Sequence, residues 1–384
     1  MEKIKMVDLQ RQNKEIEAEI SSSIAEIIQA CDFINGKKVK QFSSALEEYL
    51  GVSHVIPCAN GTDALQIALM SLNLQPGDEV ITPSFTYIAA IEAIVLLKLT
   101  PVFIDIDPGT FCLDPNEVKK AITGRTKVII AVHLFGQAAP MEELMLIAKE
   151  SDLFVIEDNA QALGCTYTFK SGEKKKTGTI GTIGTTSFYP SKNLSCFGDG
   201  GAIFVNSDEL AKKIRMIANH GQERQYHHSL LGCNSRLDSI QAAILLIKIK
   251  KLDEYNHRRK LTADFYDQAF KSSKTIILPK RTDYSDHIFH QYTIKLNGIN
   301  RKLLGESLSK KEIPFMIYYP LGSHKQKFLE TYPIKCLKLN NTDDVCETVL
   351  SLPMHSELDS EQLNYIVQNI IEFTKEPENT GLLV

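Results

Sequence analysis

The chain has no tryptophan, no C-x-x-C pair, no excess of basic residues and no uninterrupted apolar run long enough to cross a bilayer. Each absence excludes something. Forty-three Lys and Arg against 47 Asp and Glu leave a formal charge of -4, so no positive field exists to hold a nucleic-acid backbone. The eight cysteines (Cys31, Cys58, Cys112, Cys165, Cys196, Cys233, Cys336 and Cys346) are scattered and mostly lie beside apolar residues, which points to a reduced, cytoplasmic protein. The most apolar stretch, around Ile88 to Leu97, is broken by Glu92, and the opening MEKIKMVDLQRQNKEIEAEI is charged throughout. Neither a membrane span nor a signal peptide is expected. His220, His227, His228, His287 and His290 lack zinc-finger spacing, and neither H-E-x-x-H nor G-x-x-x-x-G-K occurs, so no metal site and no P-loop is expected.

What is present is the composition of an ordinary globular protein, with 43% hydrophobic and 23% charged residues. At 384 residues it exceeds one core. A large domain of roughly 200–250 residues with a smaller one is expected. The division falls at 1–250, including a helical arm at 1–50, and 251–384. From about Val52 to Asn206, short β-branched runs alternate with helical periods, each switch marked by Gly, Pro, Asn or Asp. This is the rhythm of an α/β fold, a parallel sheet between helix layers. Seven strands are read, at Val52–Pro57, Glu79–Thr82, Pro101–Asp105, Lys127–Val132, Leu153–Ile156, Thr185–Phe188 and Ala202–Val205. Helices fall between most of them, including Ala64–Leu72 and Tyr87–Leu97. A long helical stretch at Ser239–Tyr266 leads through a Lys, Pro and Ser-rich connection into a compact C-terminal α+β domain closed by a helix at Ser360–Thr374. The tail after Lys375 is expected to fray.

Ligands of such sheets bind beyond the carboxyl ends of the strands. Residues collected there include Asn60-Gly61-Thr62-Asp63, Pro83 to Tyr87, Asp105, His133, Glu157 to Gln161, and Ser187 to Lys192, together enough for one polar pocket. Lys192, just ahead of the glycine-rich Phe197 to Gly201, is an amine beyond a buried strand. Lost solvation there lowers its pKa and makes it a nucleophile toward an aldehyde; a solvated surface lysine is the plainer reading. Asp158 ends the run FVIED and, poorly solvated, needs a cation. The protonated pyridine of pyridoxal phosphate would suit it, and a helix N-cap is the alternative. Gln161 can serve that cofactor's phenolic oxygen or complete a capping box. Asn60 to Asp63 open the helix ALQIALMSL, where free N–H groups can receive a phosphate or simply be capped. Tyr87 can stack on a flat ring or pack in the core, and Ser187 can add a hydroxyl to the phosphate cup. Arg236, within GCNSRLDSIQAA, has the fork that grips a carboxylate, or forms a structural pair with Asp238.

NGTDAL, GDEVITPSFTY, PVFIDID, HLFGQ, EDNAQALG, SFYPSKNLSCFGDGG, GCNSRLDSIQAA and SLPMH occur here in one order. The chain thereby resembles, over nearly its whole length, the DegT/DnrJ/EryC1/StrS family of nucleotide-sugar aminotransferases that use pyridoxal 5'-phosphate. The resemblance implies the fold-type I aminotransferase architecture, with a mostly parallel seven-stranded sheet and a small C-terminal domain. It makes Lys192 the Schiff-base lysine, Asp158 the partner of the pyridine nitrogen and Gln161 the neighbour of the phenolic oxygen. Gly61, Thr62, Asp63 and Ser187 match the phosphate-binding region, and Tyr87 the ring-covering aromatic. Asn234 matches a phosphate ligand lent by a second subunit, which implies a homodimer with shared active sites. Family members that act as sugar 3-dehydratases carry histidine in place of Lys192, so a transaminase is expected. HGQERQYHH and GCNSRLDSIQAAIL look most like aminotransferases of UDP-2-acetamido-2-deoxy-3-keto-glucuronate. That likeness turns Phe33, Ser191, Arg236, Tyr318 and Tyr319 toward the sugar nucleotide, with Tyr318 where close relatives often have His. It implies L-glutamate as donor and a place in surface polysaccharide, O-antigen or glycan precursor synthesis. A 3-keto or 4-keto 6-deoxyhexose linked to dTDP or UDP is the alternative substrate, and a non-catalytic sugar-nucleotide-binding regulator the alternative of another class.

Overall fold

In the computed structural model, which describes residues 2–376, the run TKVIIAV forms the strand Thr126–Val132 near the middle of an eight-stranded sheet. Its successive side chains point to opposite faces. Val128 and Ile130 enter one core with the helices Gly61–Ser71, Ala89–Leu96 and Asp208–Ala218, while Ile129 and Ala131 enter another with Pro115–Ala121 and Met141–Glu150. A strand covered on both faces has no polar side to alternate with, which is why it reads as an unbroken apolar run. Each fully buried Val or Ile contributes about 1.5–3 kcal/mol to this two-sided packing.

Across the sheet the strands run His54–Cys58, Gly201–Val205, Ile183–Ser187, Phe154–Asp158, Thr126–Val132, Glu79–Pro83, Thr100–Ile104 and Lys335–Cys336. Gly201–Val205 is antiparallel to both its neighbours, and the other pairings are parallel. All seven expected strands are there with shifted ends. The eighth, Lys335–Cys336, comes from the C-terminal region and is two residues long, too short to carry a β pattern in sequence. Charge docks it: Lys335 pairs with the fully buried Glu79, which also receives Arg125 Nε at 3.0 Å and the Thr123 hydroxyl at 2.7 Å. Burial raises the Glu79 carboxyl, but Lys335, Thr123 and Arg125 outweigh it and hold it below the usual carboxylate range.

The C-terminal region builds its own antiparallel sheet, Ile276–Ile277, Tyr292–Leu296 and Val349–Leu352, packed by the helices Leu252–Phe270, Arg301–Lys310 and Ser360–Lys375. Ile4, from the other end of the chain, joins this core, and Gln12 donates to Ser356 Oγ at 3.1 Å. The expected helical stretch from Ser239 is interrupted by a 3-10 turn at Ile249–Lys251, beside the expected domain boundary. Asp105, at a strand end, accepts the N–H groups of Asn341 and Thr342 and so docks the helix Asn340–Thr348 onto the sheet. Among the described residues no helix is long and apolar enough to cross a membrane. The tail beyond Glu376, expected to fray, lies outside the described residues.

Candidate active site

The carboxyl ends of the parallel strands open into a cavity of about 520 Å³. One wall is the start of the helix Gly61–Ser71. Asn60 caps it by accepting the Asp63 N–H at 2.8 Å, and Gly61 and Thr62 face the cavity. Here glycine is a steric requirement: a Cβ on Gly61 would stand 2.7 Å from Ser187 Cβ, and one on Gly201 would stand 2.4 Å from the Asn60 carbonyl oxygen. The helix end is therefore pressed against Ser187, so that first-turn amides, the Thr62 hydroxyl and the Ser187 hydroxyl share one corner. Aligned peptide dipoles make that corner electropositive.

The same cavity is lined by Asp158 and Lys192. Asp158 ends the strand Phe154–Asp158 and is 9% exposed. Burial raises its carboxyl, and the Ala160 N–H and the Lys192 charge work against that rise. Lys192 follows a turn in which its N–H donates to the Tyr189 carbonyl at 2.8 Å. Burial lowers its amine to about 8, with the Asp158 charge acting in the opposite direction. Burial thus shifts an amine and a carboxyl in opposite directions within one cavity, a pattern that clusters at functional sites.

Gln161 accepts the Phe135 N–H at 2.8 Å through Oε1 and donates from Nε2 to the Tyr319 hydroxyl at 3.1 Å. Tyr319 is tied into an aromatic group with Phe85, Phe135 and Tyr87. Tyr87 itself lines the cavity and is 58% exposed, and the helix expected from Tyr87 begins only at Ala89.

Gly61, Thr62, Tyr87, Asp158, Gln161, Ser187, Ser191, Lys192, Tyr318 and Tyr319 thus line one cavity. Asp63 does not line it. Phe33 is partly exposed on the chain leading from the N-terminal helices, its carbonyl bonded to the Ser239 N–H; Asn234 is exposed; and Arg236 donates to Asn219 at 3.2 Å in a separate hollow. His133 and Glu157 are turned into the fold. Glu157 accepts the Gly178, Ile180 and Gly181 N–H groups and meets His133 Nε2 at 2.8 Å, while the Ala139 N–H donates to His133 Nδ1. Thr86 and Tyr189, both within the strand-end segments expected to furnish the pocket, also line the cavity, as do Asp199, His290 and Gln291, to which the sequence assigned no site role. Asp199 lies in the glycine-rich run Phe197 to Gly201, whereas His290 and Gln291 sit in HQYTIKL, which the sequence marks only as part of the compact C-terminal α+β domain.

A buried carboxyl for a pyridine nitrogen, an amine of lowered pKa and an anion seat shaped around Gly61 are the three holds that pyridoxal phosphate needs. They come from separate strand ends around one space. The model of the DegT/DnrJ/EryC1/StrS aminotransferase family matches residues 14–371. The chain is 42% identical over 372 residues, 96% of it and 98% of the relative, to a "pleiotropic regulatory protein" of Geobacillus stearothermophilus. It is 42% identical to the UDP-2-acetamido-2-deoxy-3-oxo-D-glucuronate aminotransferase of Pseudomonas aeruginosa, across 94% of this chain and 98% of that one. It is 40% identical to a UDP-N-acetyl-3-dehydro-α-D-glucosamine 3-aminotransferase of Acidithiobacillus ferrooxidans, across 94% and 95%. The fold superposes with a TM-score of 0.87, at 31% identity, on the solved NtdA of Bacillus subtilis with bound cofactor PMP, covering 97% of this chain and 83% of that one. The chain belongs to the DegT/DnrJ/EryC1/StrS aminotransferase family, and is an aminotransferase that works with pyridoxal phosphate.

Proposed function

We propose that this cavity transfers an amino group from L-glutamate to the 3-keto carbon of a nucleotide-linked hexose, with UDP-2-acetamido-2-deoxy-3-keto-glucuronate as the first substrate to try. The carrying observation is that Lys192, Asp158, Gln161 and the Gly61–Ser187 corner face one space. Two similar proteins whose names place the oxo or dehydro group at carbon 3 of a UDP sugar support the position and the nucleotide. When bound, pyridoxal phosphate supplies an aldehyde carbon that exchanges amines and a protonated ring that accommodates an electron pair.

Around it, Gly61, Thr62 and Ser187 seat the phosphate. Asp158 keeps the ring nitrogen protonated, Gln161 Nε2 serves the phenolic oxygen with the hydrogen that Tyr319 leaves free, and Tyr87 covers the ring. Lys192 holds the cofactor and, once displaced by the donor, takes the α-proton at Nζ and returns it to the cofactor side. The reverse sequence delivers the amine to the sugar. An amine of pKa about 8 is suited to both duties, since it is easily protonated and easily discharged near neutral pH. Asn234 completes the phosphate seat of a second copy in a homodimer, and Ser191, Tyr318 and Tyr319 face the sugar.

A second substrate reading has its own observation. The charged side chains on the cavity wall are Lys192, Asp158 and Asp199, and Arg236 stands outside it. A sugar without a carboxylate, such as a 3-keto 6-deoxyhexose linked to dTDP or UDP, suits that wall as it stands. A uronate requires Arg236 from the second copy. Incubating the holoenzyme and L-glutamate with both sugar classes, then reading product mass, tests the proposal. An amine on the uronate supports the first reading and amination of only the neutral sugar the second. Amination of neither, by a protein whose colour also fails to bleach with L-glutamate, rejects both in favour of a binding protein.

A further inference from the structure

Gln291 lines the cavity, is 7% exposed, and has no task in the functional reading. Its backbone is pinned from both sides. The His290 and Gln291 N–H groups donate to the Phe135 carbonyl at 2.8 and 3.4 Å, where Phe135 and Gly136 both adopt positive φ, and a Cβ on Gly136 would stand 2.8 Å from the His290 nitrogen. The buried Arg259 guanidinium donates to the His290 carbonyl at 3.3 Å. On the other side, Tyr292 is sunk in the C-terminal core and donates its hydroxyl to Asp267 at 2.6 Å.

The side chain has no such hold. Asp158, Gln161 and His290, buried in the same cavity lining, each meet protein partners: Asp158 the Ala160 N–H, Gln161 the Phe135 N–H and the Tyr319 hydroxyl, His290 the Asn193 amide. The Gln291 amide meets none among the described residues, and neither of its polar atoms is closed off inside the protein. A buried amide in that state is disfavoured until a ligand takes its hydrogen bonds. An amide has donors, an acceptor and no charge, so it matches a group that both gives and takes a hydrogen bond. A carboxylate of the amino donor only accepts, and would bring its charge against Oε1. The cofactor's phosphate, ring nitrogen and phenolic oxygen have other holds in the reading above. The ring of the acceptor sugar is left, with hydroxyl and acetamido groups that do both.

We propose that Gln291 is a specificity-determining residue of the sugar pocket, its amide hydrogen-bonding a neutral substituent of the sugar ring, a hydroxyl or an acetamido group. This rests on the reading of the cavity as a nucleotide-sugar site and deepens it. A pocket built to pair such a group discriminates against a sugar that lacks it, because the amide is then left buried and unpaired.

The test is equilibrium titration of the pyridoxamine phosphate-loaded protein with UDP-N-acetylglucosamine, which has an acetamido group at carbon 2, with UDP-glucose, which has a hydroxyl there, and with UDP alone. Neither sugar has a keto group, so binding is read without turnover. Gln291→Met keeps the length of the side chain and deletes the amide. Gln291→Leu deletes it in another shape, so that poor packing of one variant does not decide the result. Both are expected to weaken a UDP sugar roughly ten-fold, the loss of one neutral hydrogen bond, and to leave UDP within two-fold of native. A loss confined to UDP-N-acetylglucosamine assigns the acetamido group as the partner, and a loss shared by both sugars a group they have in common. Melting temperatures should hold or rise, since an unpaired buried amide gives way to an apolar group, whereas loss of a structural amide would lower them. Native sugar affinity in both variants overturns the proposal, as does a loss that extends equally to UDP. A native protein that binds none of the three probes overturns the UDP-sugar reading and this proposal with it. One that binds the sugars but aminates no keto sugar overturns the substrate reading alone, and the variants still decide the role of Gln291.

Discussion

The Gln161 amide donates to the Tyr319 hydroxyl at 3.1 Å, joining a strand end of the large sheet to the segment that runs from Phe315 in the C-terminal core back to the large-sheet core. Because the Phe135 N–H already holds Gln161 Oε1, the amide has one orientation, and one Nε2 hydrogen remains for the cavity. Tyr319→Phe removes one of the two holds. Turnover is expected to fall by less than about ten-fold, in keeping with loss of a single neutral hydrogen bond, and Gln161→Ala to fall further. Steady-state kcat of the two variants checks the order.

Asp158→Asn preserves shape and removes the charge that a protonated pyridine requires. A drop in kcat of about a hundred-fold or more is expected, the scale on which one positioned electrostatic partner acts, with cofactor still bound. A variant with native kcat would show that Asp158 serves only to hold the turn that follows it, through the Ala160 N–H; no helix follows it to be capped.

The rate at which pyridoxal phosphate joins Lys192 should follow the unprotonated amine. Burial places that amine near 8, so the rate should climb through pH 8 and level off above pH 9, whereas an amine at its ordinary 10.5 would keep climbing. Since the Asp158 charge raises the Lys192 pKa, Asp158→Asn should move the midpoint to lower pH. Stopped-flow profiles of the two proteins read the shift, and a midpoint moving upward would contradict its sign.

Gly61→Ala places a methyl group 2.7 Å from Ser187 Cβ, and the close neighbour includes backbone, so the helix start must move. Affinity for the cofactor is expected to fall at least ten-fold, roughly the loss of one charge-assisted phosphate contact, while the melting temperature of the apo-protein changes little. Equilibrium titration checks this.

Asn234 is exposed and away from this chain's cavity. If two copies share their sites, mixing Asn234→Ala with Lys192→Ala subunits should restore activity in heterodimers that have one intact site. Mixtures no more active than either parent would place Asn234 outside the chemistry.

The strands were legible because two-sided burial leaves unbroken apolar runs, and VIIAV needed no other signal. Residues just beyond strand ends, such as Gly61 at a helix start and Asp158 before a turn, were legible for the same topological reason. Contributions made by folding at a distance were not. Asp105 and His133 lie at strand ends in the same way as Asp158, yet Asp105 docks a C-terminal helix and His133 pairs with Glu157, because their partners arrive from elsewhere in the chain. His290 and Gln291 reach the cavity only because the Phe135–Gly136 turn receives that segment from the C-terminal region. The edge strand Lys335–Cys336 follows from an ion pair with Glu79 across the sheet, which no local pattern encodes.

The claim on which the rest depends is that Lys192 carries the cofactor. Borohydride reduction of the pyridoxal phosphate-loaded protein, followed by peptide mapping, tests it directly. The account expects one stable phosphopyridoxyl tag on the peptide containing Lys192; a tag on another lysine, or none on a loaded protein, would contradict it.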